Sequence, residues 1–435
     1  MASLLRASLV MLFWGLLSTE SLKVILSFTV VVERTTYVFQ QPWFTTLVMF
    51  IGMSMLYPSY RGDRRAKLKI IKDLENEINK KHKKVAKKKV STKGSSDEEQ
   101  PLLSGTQQPT ILGDLERKFN RSSIKFIWLP SLFDLIASAV SSFGLALIDA
   151  SIYQLLAGSL QIIATTTLNS LFYGIKIFRH TAIAIAMAIM GLLFIFLNLA
   201  IEQPSMTSSF IGTTAVAFAA FMWSCQFSSE QKVLNEMEKE YSTLFRNKCE
   251  EEGIQLEESL VQRCIEQFDV PTSQIVAFEG IYGAILSIFI VLPILQFIPG
   301  GNYGKVENSL VTIKMIKNSL PLVVLLVANL IIIAFYNSAG QNISKIASTS
   351  VRTIIENLRC VTVFVFSAAL YFVYPQFGEK LTKYTYIRVI GFVLMITASF
   401  VFKGHIRIPG LYYEEDEAEK AKKKEEEQPL IVNIN

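Results

Sequence analysis

With 435 residues, 51% of them hydrophobic and 18% charged, and a mean hydropathy of +0.36, the chain has the composition of a polytopic membrane protein, which excludes a soluble globular domain. Its formal net charge of +6 comes largely from one lysine-rich stretch and therefore reports membrane orientation, not a nucleic-acid partner. Four cysteines without CxxC spacing and three scattered histidines give no zinc site and no disulfide framework, so no metal and no cofactor is expected.

A bilayer is crossed by about 20 predominantly apolar residues, and a walk along the chain finds ten such segments. The first covers residues 4–32. Apolar residues resume beyond Val24 with no small-x-small cleavage site, which argues against a signal peptide. The second, 43–57, completes a pair within residues 1–60. Residues 61–125 form the most polar stretch, with KKHKKVAKKK from Lys80 to Lys89, and are expected to be a basic, partly disordered cytosolic loop. Block 126–227 holds four spans, at 126–148, 151–173, 181–200 and 210–227. A second polar loop, 228–272, places Leu234, Met237, Leu244 and Phe245 at near-helical spacing, which predicts amphipathic helices on the cytosolic face. Block 273–402 holds spans at 273–297, 320–336, 348–374 and 386–402, and 403–435 is a tail. An even number of spans puts both termini in the cytosol with the basic loop.

Two hexapeptides fall in these cytosolic segments. EEQPLL places Glu98 four residues before Leu102 and Leu103, and EEQPLI places Glu426 four residues before Leu430 and Ile431. Both resemble the acidic dileucine addresses that sorting adaptors read, and predict a lysosomal or vacuolar membrane; Golgi or mitochondrial membrane is the alternative.

Charges far from the ends of a span are rare and face the bundle interior or a hydrated cavity. The densest group is KIASTSVRTIIENLR, residues 345–359. Read as one helix, it brings Lys345, Thr349, Arg352, Glu356 and Arg359 onto one stripe. Arg352 and Glu356 stand at i,i+4, and Glu356 and Arg359 at i,i+3, so the stripe is either a structural ion-pair ladder or the lining of a solute path. Asp134 and Glu279 have no basic neighbour on their own helix face and must pair across helices, sit in a cavity or carry a proton. Gln154, Gln226 and Asn337 add polar groups within other spans. Among the rest, Lys23 and Lys345 suit interface anchors, Asp149 a turn, and Asn329 a bond between helices. Groups of this kind meeting in one cavity suit an anionic or zwitterionic solute coupled to protons.

Ten spans divide as five plus five, and an odd number per half inverts one half relative to the other. ASIYQLL from Ala150 and ASTSVRT from Ala347 stand at corresponding turns entering spans four and nine. The chain resembles the drug/metabolite transporter superfamily, and within it the CRT-like, EamA-like F-type members of solute carrier family 35, relatives of the nucleotide-sugar transporters. The resemblance is carried in order by Phe39-Gln40-Gln41-Pro42, Leu129-Pro130 with Asp134, Gln154, Gln226 with Glu230 and Lys232, Glu279-Gly280, Asn337 with Ala339-Gly340, and Arg352 with Glu356 and Leu358-Arg359. It departs at Ala157, where relatives often carry arginine, at Glu356, where they often carry aspartate, and in its two long polar loops.

The resemblance implies an all-α polytopic membrane protein of ten transmembrane helices in two inverted five-helix repeats. It implies secondary active transport of a small polar metabolite by alternating access, through a cavity containing Asp134, Gln154, Gln226, Glu279, Asn337, Arg352, Glu356 and Arg359. The expected partners are that solute, the bilayer and sorting adaptors; nothing sets an oligomeric state. No nucleophile-base pair, metal motif or glycine-rich phosphate loop is present in the sequence, so neither an enzyme nor a nucleotide-driven pump is expected. The alternative is a non-transporting membrane receptor or adaptor acting through its cytosolic loops.

Overall fold

The structure, a computed structural model, describes all residues except 1, 33, 93–110, 174–177, 203–205, 253, 255, 348, 376, 403, 405 and 411–435. The six residues of the two dileucine motifs, Glu98, Leu102, Leu103, Glu426, Leu430 and Ile431, lie outside the described residues.

The chain opens with α1 (Ala2–Ser27), then an antiparallel hairpin of β1 (Thr29–Val32) and β2 (Thr35–Val38). The expected first span therefore stops short of residue 32. The run Thr-Val-Val-Val is β-branched throughout, and Arg34 turns the chain at φ 69°, so four residues of that segment pair as a strand instead of extending the helix. Next come α2 (Pro42–Ser54), α3 (Tyr57–Thr92), α4 (Ile111–Phe126), α5 (Trp128–Leu147), α6 (Ala150–Tyr173), α7 (Arg179–Glu202) and α8 (Met206–Gln231). After a π-helical turn at Lys232–Glu236 come α9 (Met237–Glu251), α10 (Glu258–Ile265) and α11 (Thr272–Leu286). A second π turn, Ser287–Val291, precedes α12 (Leu292–Phe297). Pro293 has no N–H to offer and its ring crowds the carbonyl of Phe289, which loosens the ladder there. The chain ends with α13 (Ser309–Asn318), α14 (Leu320–Ile346), α15 (Thr349–Val373) and α16 (Thr385–Phe402).

Nine segments of the described residues are long and apolar enough to cross a membrane, making this an all-α polytopic membrane protein with one small hairpin. The second expected span is α2, whose 13 residues rise only about 20 Å. It starts with Pro42 at the first helical turn, where a missing N–H costs nothing. Its last turn leads through Met55 and Leu56 almost directly into α3.

The stretch 345–359 is not one helix. α14 ends at Ile346, Ala347 caps it at φ −122°, and α15 starts at Thr349, so Lys345 leaves the stripe and instead pairs with Asp269. The polar stretch 61–125 is helical wherever it is described. Ile71, Leu74 and Ile78 on α3, and Leu112, Leu115 and Phe119 on α4, recur at steps of three and four and close a core with Phe245, Leu260, Cys264 and Phe268. The amphipathic helices expected in 228–272 are α9 and α10; Leu234, Met237 and Phe245 face that core, but Leu244 is exposed. Inside the module that α3, α4, α9 and α10 form around this core, Glu116 is fully buried and pairs with Arg64 and, at 3.4 Å, with Lys67.

The four module helices continue α2 and α8 and lead into α5 and α11. Those four helices pack on one another, α5 on α8 and α2 on α11, with α2 and α11 also on α5. Against them stand α1 on α14, α6 on α15 and α7 on α16. Close approach depends on glycine: a Cβ at Gly280 on α11 would lie 2.4 Å from the Ser54 backbone nitrogen of α2.

Candidate functional site

Between α1, α2, α5, α6, α8, α14 and α15 lies a cavity of about 100 Å³. Its wall carries hydroxyls from α1, α2 and α5, aromatic rings from Tyr153, Trp223 and Tyr336, and a band of charge. Of the eight sequence-derived candidates, seven line it: Asp134, Gln154, Gln226, Asn337, Arg352, Glu356 and Arg359. Glu279 does not. It stands one hydrogen bond behind the wall, accepting from Gln226 Nε2 at 2.8 Å.

Gln226 is the hub of a buried network. The same Nε2 also donates to Glu230 Oε1 at 2.9 Å, and Gln341 Nε2 donates to Glu230 Oε2 at 2.7 Å. Arg352 joins it from α15, with Nη1 3.4 Å from Glu230 Oε2 and Nε 3.1 Å from Glu356 Oε1. Its guanidinium lies 4.2 Å from the centre of the Phe227 ring, and Gly340 makes room for it, since a Cβ there would come within 2.9 Å of Nε. The i,i+4 rung of the expected ladder thus forms.

The i,i+3 rung, Glu356 to Arg359, does not form among the described residues. Tyr336 donates its hydroxyl to Glu356 Oε1 at 3.1 Å, and Arg359 stacks on the Tyr336 ring at 4.7 Å. Arg359 Nε is buried without an acceptor. Gly15 on α1 lets the side chain pass, because a Cβ there would stand 2.6 Å from Arg359 Cδ. Asp134 accepts from Ser138 Oγ at 2.8 Å and Trp223 Nε1 at 3.3 Å, both on Oδ1. Gln154 ties the two halves of the chain together: Nε2 donates to the Glu356 carbonyl at 3.2 Å, and Oε1 accepts from Thr19 Oγ1 at 3.4 Å. Asn337 donates to the Ile333 carbonyl of its own helix, and Asn329 bonds Ser21 across helices at 2.8 Å.

A second polar centre sits at the opposite ends of α6 and α16. Arg388 donates to Glu379 Oε2 at 2.8 Å, Asp149 Oδ2 at 3.1 Å and Asn198 Oδ1 at 3.2 Å. Glu379 caps the start of α6 by accepting from Ser151 N at 2.8 Å and Ser151 Oγ at 2.6 Å. Burial, reinforced by the Asp149 charge, raises the Glu379 carboxyl above its usual range despite Arg388 and Ser151. Nearby, Lys23 does not snorkel outward but donates to the carbonyls of Leu145 and Ile148, each at 2.6 Å. On the same side Glu307 caps α2, accepting from the backbone N–H groups of Trp43 at 2.8 Å and Phe44 at 2.6 Å. Burial pushes its carboxyl up to about 7, against the pull of those two bonds.

Sequence reasoning did not single out Tyr336, Gln341, Trp223, Arg388, Glu379 or Glu307. It quoted Glu230 as part of a motif but not as a site residue, because an acid at the end of a span reads as a solvated flank. The aromatic residues read as ordinary apolar span residues.

No family model matches the chain. It is 26% identical over 294 residues to an uncharacterized protein of Schizosaccharomyces pombe, an alignment covering 65% of this chain and 75% of that one. It is also 21% identical over 284 residues to solute carrier family 35 member F6 of Homo sapiens and of Pongo abelii. That alignment covers 63% of this chain and 65% of each relative, just under two thirds of their length.

Proposed function

From its distant homology to solute carrier family 35 member F6, which agrees with the resemblance read in the sequence, we propose that this chain is a secondary active transporter of a small polar organic solute, coupled to protons. The observation that carries the reading is the cavity, which gathers seven of the candidate polar or charged groups from five helices and is backed by Glu230 and Glu279. Charged groups inside a membrane protein are costly unless they face a path or a partner. The carboxylates of Asp134, Glu230, Glu279 and Glu356 are the proton carriers in this reading. Glu230, Arg352, Gln341 and Gln226 close one end of the cavity, beneath the helical module.

Alternating access requires two halves. In the proposed arrangement, α1, α2, α5, α6 and α7 form one five-helix repeat and α8, α11, α14, α15 and α16 the inverted other, with short α2 as the tenth crossing. The packing pattern supports this. Exchanging the repeats maps the α1–α14 contact onto α8–α5, α6–α8 onto α15–α1, and α2–α14 onto α11–α5, and all six contacts are present. The equivalent pairs α2–α11, α6–α15 and α7–α16 also touch one another, as helices about a two-fold axis do.

Purified protein in proteoliposomes should take up solute when a proton gradient is imposed and stop when the gradient is collapsed. Asp134→Asn and Arg352→Ala should each lower the rate at least tenfold; wild-type rates for both would remove the cavity from the mechanism. A receptor or adaptor role would draw on the helical module, where most apolar residues turn inward to its own core, while Leu68, Ile70 and Leu244 stay exposed. Such a protein would show no solute flux.

The basic stretch and module are proposed to lie in the cytosol, and the two dileucine motifs to direct the protein to lysosomal or vacuolar membrane. Alanine replacement of Leu102, Leu103, Leu430 and Ile431 should redistribute it, and an unchanged pattern in the microscope would end that assignment.

A further inference from the structure

We propose that Arg359 is the carboxylate-binding group of the cavity and that the solute is a small organic acid. This inference rests on the transporter reading and names the substrate class for its site. The two cavity arginines are not equivalent. Arg352 is neutralised by Glu230 and Glu356 and held by Gly340 and Phe227, so its charge is already committed to protein. Arg359 is only 9% exposed, lines the cavity, and pairs with no carboxylate among the described residues. Its one described partner is the Tyr336 face, and its buried Nε has no acceptor.

A buried guanidinium without counter-charge is costly, and five donors in a planar fork match the two oxygens of a carboxylate. The missing charge is therefore supplied by what enters the cavity. The chain also prepares the opposite pole: Asp134 uses Oδ1 for Ser138 and Trp223, leaving Oδ2 without a partner among the described residues. That oxygen suits a hydroxyl or ammonium on the same solute. Size points the same way. A water fills on the order of 10–15 Å³ of such space, so a cavity of about 100 Å³ takes a solute of roughly ten non-hydrogen atoms. Hydroxy acids, dicarboxylates and amino acids are of this size.

The test uses the full chain with labelled malate, glutamate, putrescine, mannitol and UDP-glucose, measuring uptake in proteoliposomes and ligand-induced thermal shift in detergent. Malate or glutamate should be taken up and should raise the melting temperature. Arg359→Gln should lose at least tenfold of that uptake and all of the shift, and Arg359→Lys should restore part of both. Flux confined to putrescine, mannitol or UDP-glucose, or acid flux untouched in Arg359→Gln, overturns the assignment and leaves the transporter reading standing. An Arg359-dependent shift without flux keeps the carboxylate site and overturns transport instead. No shift and no flux with any of the five solutes overturns both.

Discussion

Arg388 and Arg359 are both arginines buried within membrane-crossing helices, and their surroundings are opposite. Arg388 meets two carboxylates, Glu379 and Asp149, together with Asn198, and through Glu379 it is tied to the first turn of α6. Arg359 meets an aromatic face and a cavity. A satisfied buried charge joins elements of the fold; one that faces a cavity without a carboxylate is the natural candidate to meet a ligand. The contrast separates an arginine whose charge the fold satisfies from one that it leaves facing a cavity, where composition alone treats them alike.

The largest effect expected from this contrast is on Arg388. Arg388→Ala strands the buried Glu379 beside the half-buried Asp149, and breaking a buried pair such as Arg388–Glu379 costs about 3–5 kcal/mol. A thermal melt in detergent should show a drop of that size. A drop no larger than that of Arg359→Gln would erase the distinction.

Next comes the acidic side of the same face. Both Glu379 and Glu307 have folded-state proton affinities raised by burial, Glu307 up to about 7 from 4.5. A raised carboxyl binds its proton more tightly when folded, so the stabilisation is complete below pH 4.5 and is lost as pH rises through 7. Melting temperature should therefore fall between pH 5 and pH 8. A tenfold difference in proton affinity is worth about 1.4 kcal/mol, so Glu307→Gln should remove a pH-dependent contribution on the order of 3 kcal/mol. A wild-type pH slope in that variant would mean that Glu379 or another group sets it.

Much of this was legible before the structure. Isolated charges in apolar runs pointed to Asp134, Arg352, Glu356 and Arg359, because a membrane interior makes each such residue conspicuous. The approximate limits of most spans followed from the same rule. What escaped notice depended on neighbours distant in sequence. Glu307 and Glu379 sit in polar connections where an acid is unremarkable, and only folding brings them to Trp43 and Ser151. The module over 61–125 was hidden by its lysines, although Ile71, Leu74 and Ile78 already stood at helical spacing. The expected stripe loses Lys345 because one irregular residue, Ala347, ends a helix that propensity would continue; the lysine pairs at the exposed end of α14 instead, as an interface anchor does.

The smallest expected effect is the sharpest test of the comparison. Arg359→Gln removes a charge that no described carboxylate balances, so it strands nothing, in contrast to Arg388→Ala. The glutamine retains an amide donor for the cavity, and the space left by the longer side chain opens toward Gly15 and the existing cavity, not into a sealed core. The desolvation cost of the guanidinium is relieved at the same time, against the loss of its stacking on Tyr336, worth about 0.5–2 kcal/mol. These terms oppose each other, and the net change in stability should stay within about 1 kcal/mol. Melted beside Arg388→Ala in the same detergent, the two variants should differ severalfold in their loss. Equal losses would make Arg359 a structural residue whose partner is protein, and the cavity would then need another group to hold an anion.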